Sequence, residues 1–140
     1  MQHNAWEIST LGRDIIYNIY QLIFSAIWCL TLDPYPTVNV PRYNSQSFNC
    51  SVDPNWSSVT YNNGPTNIAF FVVQDGKCKD FVDQSSGRHT TDCDDSTRTF
   101  YLTINNVTDV YNGNIIQCGV TYSTGTNSRI QSLINVQCKY

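Results

Sequence analysis

The sequence predicts an all-β sandwich, two antiparallel sheets joined in Greek-key fashion, preceded by a hydrophobic helical segment at the N-terminus. Three observations carry that expectation. After Pro36, apolar and polar residues alternate with a period of two, the period of a half-buried strand. Turn formers such as Asp75-Gly76 and Asn112-Gly113 interrupt these runs repeatedly. The composition is aromatic (13%) and poor in charge (14%), with six cysteines and nine tyrosines in 140 residues.

The same arithmetic excludes other classes. A net charge of -3 lacks the basic footprint of a nucleic-acid binder. Low charge with many aromatics supplies enough apolar surface to fold, which excludes a disordered chain. Scarce Leu, Ala, Glu and Lys, and a single Met, exclude a helical bundle.

In chain order, Ile15 to Leu32 carries no charge. Its densest part, Leu22 to Leu32, has the length of a signal-peptide hydrophobic region and is short for a bilayer span. Residues 1–31 therefore read as a lead-in and signal peptide cleaved near Cys29 to Thr31, with an uncleaved signal-anchor as the rival. Residues 32–140 read as the folded domain. Three Asn-X-Ser/Thr triplets, beginning at Asn49, Asn55 and Asn106, fit a glycosylated surface. The chain is expected to be secreted or on the extracellular face of the plasma membrane. It would touch the membrane only through an uncleaved leader or an anchor outside this sequence.

Thr37 to Val40 alternates and stops at Pro41. Phe48, Cys50 and Val52 share a face. Asp53 to Thr66, rich in Asn, Pro and Gly, reads as a long loop. Asn67 to Val73 is nearly all apolar, as in a strand covered on both faces. Asp80 to Asp95 is polar and yields no strand. Phe100, Leu102 and Ile104 are in phase, as are Ile116, Cys118, Val120 and Tyr122. Ile130 to Val136 alternates imperfectly. About eight strands are expected.

Around Cys50 and Cys118 the sequence resembles an immunoglobulin domain of the variable type. Ser47-Phe48-Asn49-Cys50-Ser51-Val52 is similar to that family's strand B, and Leu102 to Val107 to its strand E. Asn112 to Cys118 is similar to the approach to its second cysteine, and Ile130 to Gln137 to its closing strand G. The resemblance implies a Cys50–Cys118 bridge between the sheets. It departs from the pattern at Ile116, where the family has a tyrosine, and in lacking a strand C tryptophan, for which Phe70 or Phe71 is the expected substitute. Cys78 and Cys93 flank the polar middle segment, and a bridge between them would staple it. The alternatives leave one of them to Cys138 or to nothing.

No catalytic constellation emerges. His3 and His89 lie apart, with no paired carboxylates for a triad. Asp92-Cys93-Asp94-Asp95 lacks the spacing of a calcium loop, and no zinc or phosphate motif occurs. No enzyme, metal or cofactor is expected. The function expected is protein recognition at a cell surface, in adhesion or immune-type reception. The alternative is a complete secreted ligand, inhibitor or decoy. The partner would be a protein, a second copy being the alternative, with Cys138 available for a disulfide link. By the resemblance, binding falls on the loops, where Trp56, Tyr61, Thr124, Gly125 and Asn127 are the candidates. The exposed face of strands C, C′, F and G is the other candidate surface.

Overall fold

The computed structural model describes residues 30–82 and 87–138. The expected leader therefore lies outside the described residues, apart from residues 30 and 31. Among the described residues, ten strands form two sheets. The first sheet contains β1 (Thr31–Asp33), β3 (Gln46–Ser51), β8 (Thr99–Ile104) and β7 (His89–Asp94), in that order. The second contains β2 (Thr37–Pro41), β10 (Asn127–Gln137), β9 (Ile115–Tyr122), β4 (Trp56–Asn63), β5 (Thr66–Gln74) and β6 (Lys77–Val82). Every pairing is antiparallel except β10 with β2. That exception follows from the chain path. β1 pairs with β3, and the chain then crosses at Pro34 and Pro36, both preceded by cis peptides, to continue along the other sheet. Prolines suit this position because they remove ladder donors where pairing must change partner.

The core lies between the sheets and follows the alternation. Phe48 and Cys50 on β3, Phe100, Leu102 and Ile104 on β8, and Ile116, Cys118 and Val120 on β9 are buried. Burying each large apolar side chain contributes roughly 1.5–3 kcal/mol. Cys50 and Cys118 are bridged across a separation of 68 positions, with Cα atoms 6.4 Å apart, and so join the sheets through the core. Cys78 and Cys93 form a second bridge at the edge, tying β6 of one sheet to β7 of the other. Two edge strands are thereby closed against each other, which removes a site for unwanted strand pairing.

Several expectations are corrected. Asp53–Thr66 is not a long loop: Trp56 to Asn63 is strand β4, held between β9 and β5. Its Ser, Thr and Asn residues concealed the strand, because of its eight residues Val59 and Tyr61 are fully buried and Trp56 only partly. Tyr61, rather than Phe70 or Phe71, is the core aromatic of this strand, and it stands opposite Cys118 in the ladder. Phe71 packs edge-on to it, with ring centroids 6.3 Å apart. The segment Asn67 to Val73 is not covered on both faces, since Phe70 is exposed between the buried Ala69 and Phe71. Two irregularities in register explain two breaks in alternation. A shift between Trp56 and Ser58 turns Trp56 inward opposite Tyr122, and one beside Tyr61 leaves both Ile68 and Ala69 buried. Asp80 to Asp95, where no strand is legible, contains the end of β6 and all of β7.

Candidate functional site

Two surfaces qualify: the loop end near Trp56 and the outer face of the second sheet. The structure separates the expected loop residues. Tyr61 is fully buried, and its hydroxyl lies 2.8 Å from the Phe100 carbonyl and 3.1 Å from that of Phe48. Burial pushes this phenol far above its ordinary pKa. Trp56 is half-buried, its ring edge-on to Phe100 at 4.7 Å, so it caps the end of the core. Neither aromatic is presented to a partner as the loop reading required.

The remaining three candidates stay at the surface. Thr124 and Gly125 form the β9–β10 turn, where Gly125 takes φ +87° and the hydroxyls of Thr124 and Thr126 lie 3.0 Å apart. Glycine fits there because an L side chain is disfavoured at positive φ. Asn127 opens β10, and its Oδ1 accepts from Thr121 Oγ1 at 2.8 Å. This turn is knitted to the short loop before β4, since Ser123 N–H donates to Asn55 O at 2.8 Å. Asp53 is buried nearby. Burial first, and then the Asp53 charge, raise the Tyr122 phenol.

The outer face of the second sheet has a different construction. Thr60, Asn62, Gln117, Gly119, Thr121, Asn127 and Arg129 line a shallow groove of about 340 Å³ across β4, β9 and β10. Gly119 creates it. A Cβ there would stand 3.1 Å from Thr60 Oγ1 and 4.0 Å from the Arg129 side chain, filling the floor. Beyond β4 the surface becomes apolar. Phe70 and Phe81 are exposed with centroids 6.3 Å apart, and the Lys79 ammonium sits 5.4 Å over the Phe81 ring. A polar trough beside exposed aromatics offers both hydrogen-bonding and apolar contact area.

The acidic segment is occupied with its own backbone. Asp94 Oδ1 accepts from the Ser96 hydroxyl at 2.7 Å and the Ser96 amide at 2.9 Å, and these bonds, the hydroxyl's first, hold its carboxyl below the ordinary carboxylate range. Asp95 accepts from the Cys78 amide at 2.8 Å, and Asp92 from that of Cys93 at 2.8 Å. Among the described residues, no three His, Cys, Asp or Glu side chains converge as a metal site. Also among the described residues, no helix is long and apolar enough to cross a membrane.

The sequon residues occupy different settings. Asn55 and Asn106 are exposed at positive φ, 70° and 54°, in turns, whereas Asn49 lies half-buried mid-strand in β3 between Asp33 and Tyr101. Gly119, Arg129, Phe70 and Phe81 had no mark in the sequence as site residues. Their shared property is lying on the outward phase of strands whose order only the fold reveals.

The fold is an immunoglobulin-like sandwich, with two additional strands beside β4 as in the variable type. Comparison with solved structures shows the same fold in the N-terminal Ig1-2 module of the Drosophila receptor protein tyrosine phosphatase DLAR, at a TM-score of 0.56 and 14% identity. The match covers 79% of this chain and 50% of that one, so the chain spans half the length of the two-domain module. No protein-family model matches the chain, and no curated protein matches it.

Proposed function

We propose that this chain is an extracellular, non-catalytic recognition module that binds a protein partner through the outer face of its second sheet. The observation that carries the reading is the groove over Gly119, flanked by the exposed Phe70–Phe81 pair. The loop end loses its claim to be the main anchor, because Tyr61 and Trp56 are engaged with the core. Thr124, Gly125 and Asn127 then form the rim of the same surface rather than a separate site. Disulfides at two positions favour an oxidising compartment. The Asn-X-Ser/Thr triplets at Asn49, Asn55 and Asn106 are consistent with it.

A fluorescent multimer of the folded domain, applied to a panel of cell types, tests the proposal. Gly119→Arg and Gln117→Arg both obstruct the groove and should abolish staining, while Thr124→Arg at the rim should reduce it less. Thermal unfolding confirms that each variant is folded. Staining unchanged by both groove variants would sink the assignment to this face.

A further inference from the structure

Charge is sorted between the two sheets. The four strands of the first sheet hold three carboxylates, Asp33, Asp92 and Asp94, and no Lys or Arg. The six strands of the second hold Lys77, Lys79 and Arg129 against Asp80, and the β5–β6 turn adds Asp75 beside Lys77, which leaves a positive excess on this side. Asp80 is already committed, because it accepts a hydrogen bond from Thr91 Oγ1 on β7 across the sandwich edge. The chain as a whole is acidic, with a net charge of -3, so this face runs against the overall charge.

The spacing of the cations indicates the size of what they meet. Arg129 lies on β10 and the two lysines on β6, four inter-strand steps away. At about 4.8 Å per step this is roughly 19 Å. Such a span does not converge on one small anion, but it falls within a standard interface of about 800 Å² per partner. Phe70 and Phe81 lie within that span, next to Lys79. Arginine and phenylalanine suit the interior of an interface, whereas lysines at its rim steer encounter more than they hold the complex.

We propose that the occupant of this face is an acidic protein surface with apolar side chains among its carboxylates, met by Lys77, Lys79 and Arg129 around Phe70 and Phe81. This rests on the outer face of the second sheet being the binding surface. A second copy offering its acidic sheet is the competing occupant. That sheet also carries the Asn49 sequon beside Asp33, where a glycan would cover it.

Random peptides displayed on phage, panned against the folded, oxidised chain and then each scored for binding to Gly119→Arg, provide the test. Recovered peptides should be rich in Asp or Glu with interspersed aromatic or aliphatic residues. Lys77→Glu/Lys79→Glu should weaken them about tenfold or more, mainly through a slower association, and the loss should shrink at high salt. Peptides that lose binding to Gly119→Arg yet show no acidic bias overturn the acidic partner and leave the face intact. Peptides that bind Gly119→Arg as well as the parent overturn both. An empty selection counts against the proposal. So does self-association in sedimentation that Lys77→Glu/Lys79→Glu disperses, since the occupant would then be a second copy.

Discussion

The Tyr61 hydroxyl lies 2.8 Å from the carbonyl oxygen of Phe100, a contact from the second sheet to the first through the centre of the sandwich. Tyr61 also stands opposite Cys118 in the ladder, so this ring borders the Cys50–Cys118 bridge. A phenol buried in a core must find a partner, and here two main-chain carbonyls supply it. The ring fills volume while the hydroxyl fixes the approach of the sheets.

Tyr61→Phe keeps the ring and removes the bond. It should cost about 1–2 kcal/mol, the loss of a buried hydrogen bond with its carbonyl acceptors left short. Tyr61→Ala should cost about 3–5 kcal/mol, because it also leaves a cavity. Urea denaturation of the three proteins measures both. Equal stability of Tyr61→Phe and the parent would show the hydroxyl to be idle.

The same burial predicts an alkaline response. The Tyr61 pKa is raised in the folded state, so the folded chain retains a proton that the unfolded chain gives up above pH of about 10. Stability from this group is therefore fully present below that pH and declines as pH rises beyond it, at up to about 1.4 kcal/mol per pH unit. Tyr61→Phe should flatten the decline. Denaturation curves between neutral and strongly alkaline pH, made in a Cys138→Ser background to prevent disulfide exchange, compare the slopes.

Much of this fold is written in period two, and the exceptions are physical. β3, β8 and β9 are legible because each alternates in phase, with Phe48, Leu102 and Cys118 inward. β4 is not, because its outward residues belong to a polar groove and read as a loop. β6 and β7 are hidden for another reason: they lie at sheet edges, tied by the Cys78–Cys93 bridge, and bury little. The candidate site follows the same rule. The hairpin loop at Ser123–Ser128 makes β9 and β10 neighbours in the sequence already, but the register that sets Gly119 opposite Arg129 on the outward face comes from the ladder.

Ser132 tests the cost of a polar group inside the sandwich. Its side chain is fully buried opposite Ile116, and among the described residues its Oγ has no hydrogen-bond partner. Ser132→Ala removes the hydroxyl without adding volume. It should stabilise the domain by about 1 kcal/mol, the desolvation penalty being recovered. A loss of stability in thermal unfolding would refute this.

Arg42 and Asp109 form an ion pair in which Arg42 Nε donates to Asp109 Oδ1 at 2.9 Å, with Arg42 also over the Tyr43 ring at 5.6 Å. Both side chains are open to solvent, so screening keeps the gain small. Arg42→Ala should cost under about 1 kcal/mol, and less as salt is raised. A double-mutant cycle with Asp109→Ala isolates the pair, and a coupling well above that value would require another explanation.

The two disulfides should fail differently. Cys50–Cys118 closes a separation of 68 positions through the core, and the chain-entropy model gives it about 4 kcal/mol. Cys78–Cys93 closes 15 positions and is worth about 3 kcal/mol by the same reckoning. For a domain stable by about 5–15 kcal/mol, losing the first threatens the fold itself. Losing the second releases an edge, because β6 then pairs with β5 alone among the described strands, while hydrogen bonds from the Cys78 amide to Asp95 and from Thr91 to Asp80 still link it towards β7. Cys78→Ala/Cys93→Ala should therefore stay folded while amide exchange accelerates in β6 and β7 and not in β3, β8 or β9. Because β6 carries Lys77, Lys79 and Phe81, the same variant should also weaken any binding through the second sheet. Uniform acceleration across all strands would show that the edge bridge supports the whole sandwich. Unchanged exchange in β6 would show that its ladder with β5 suffices alone.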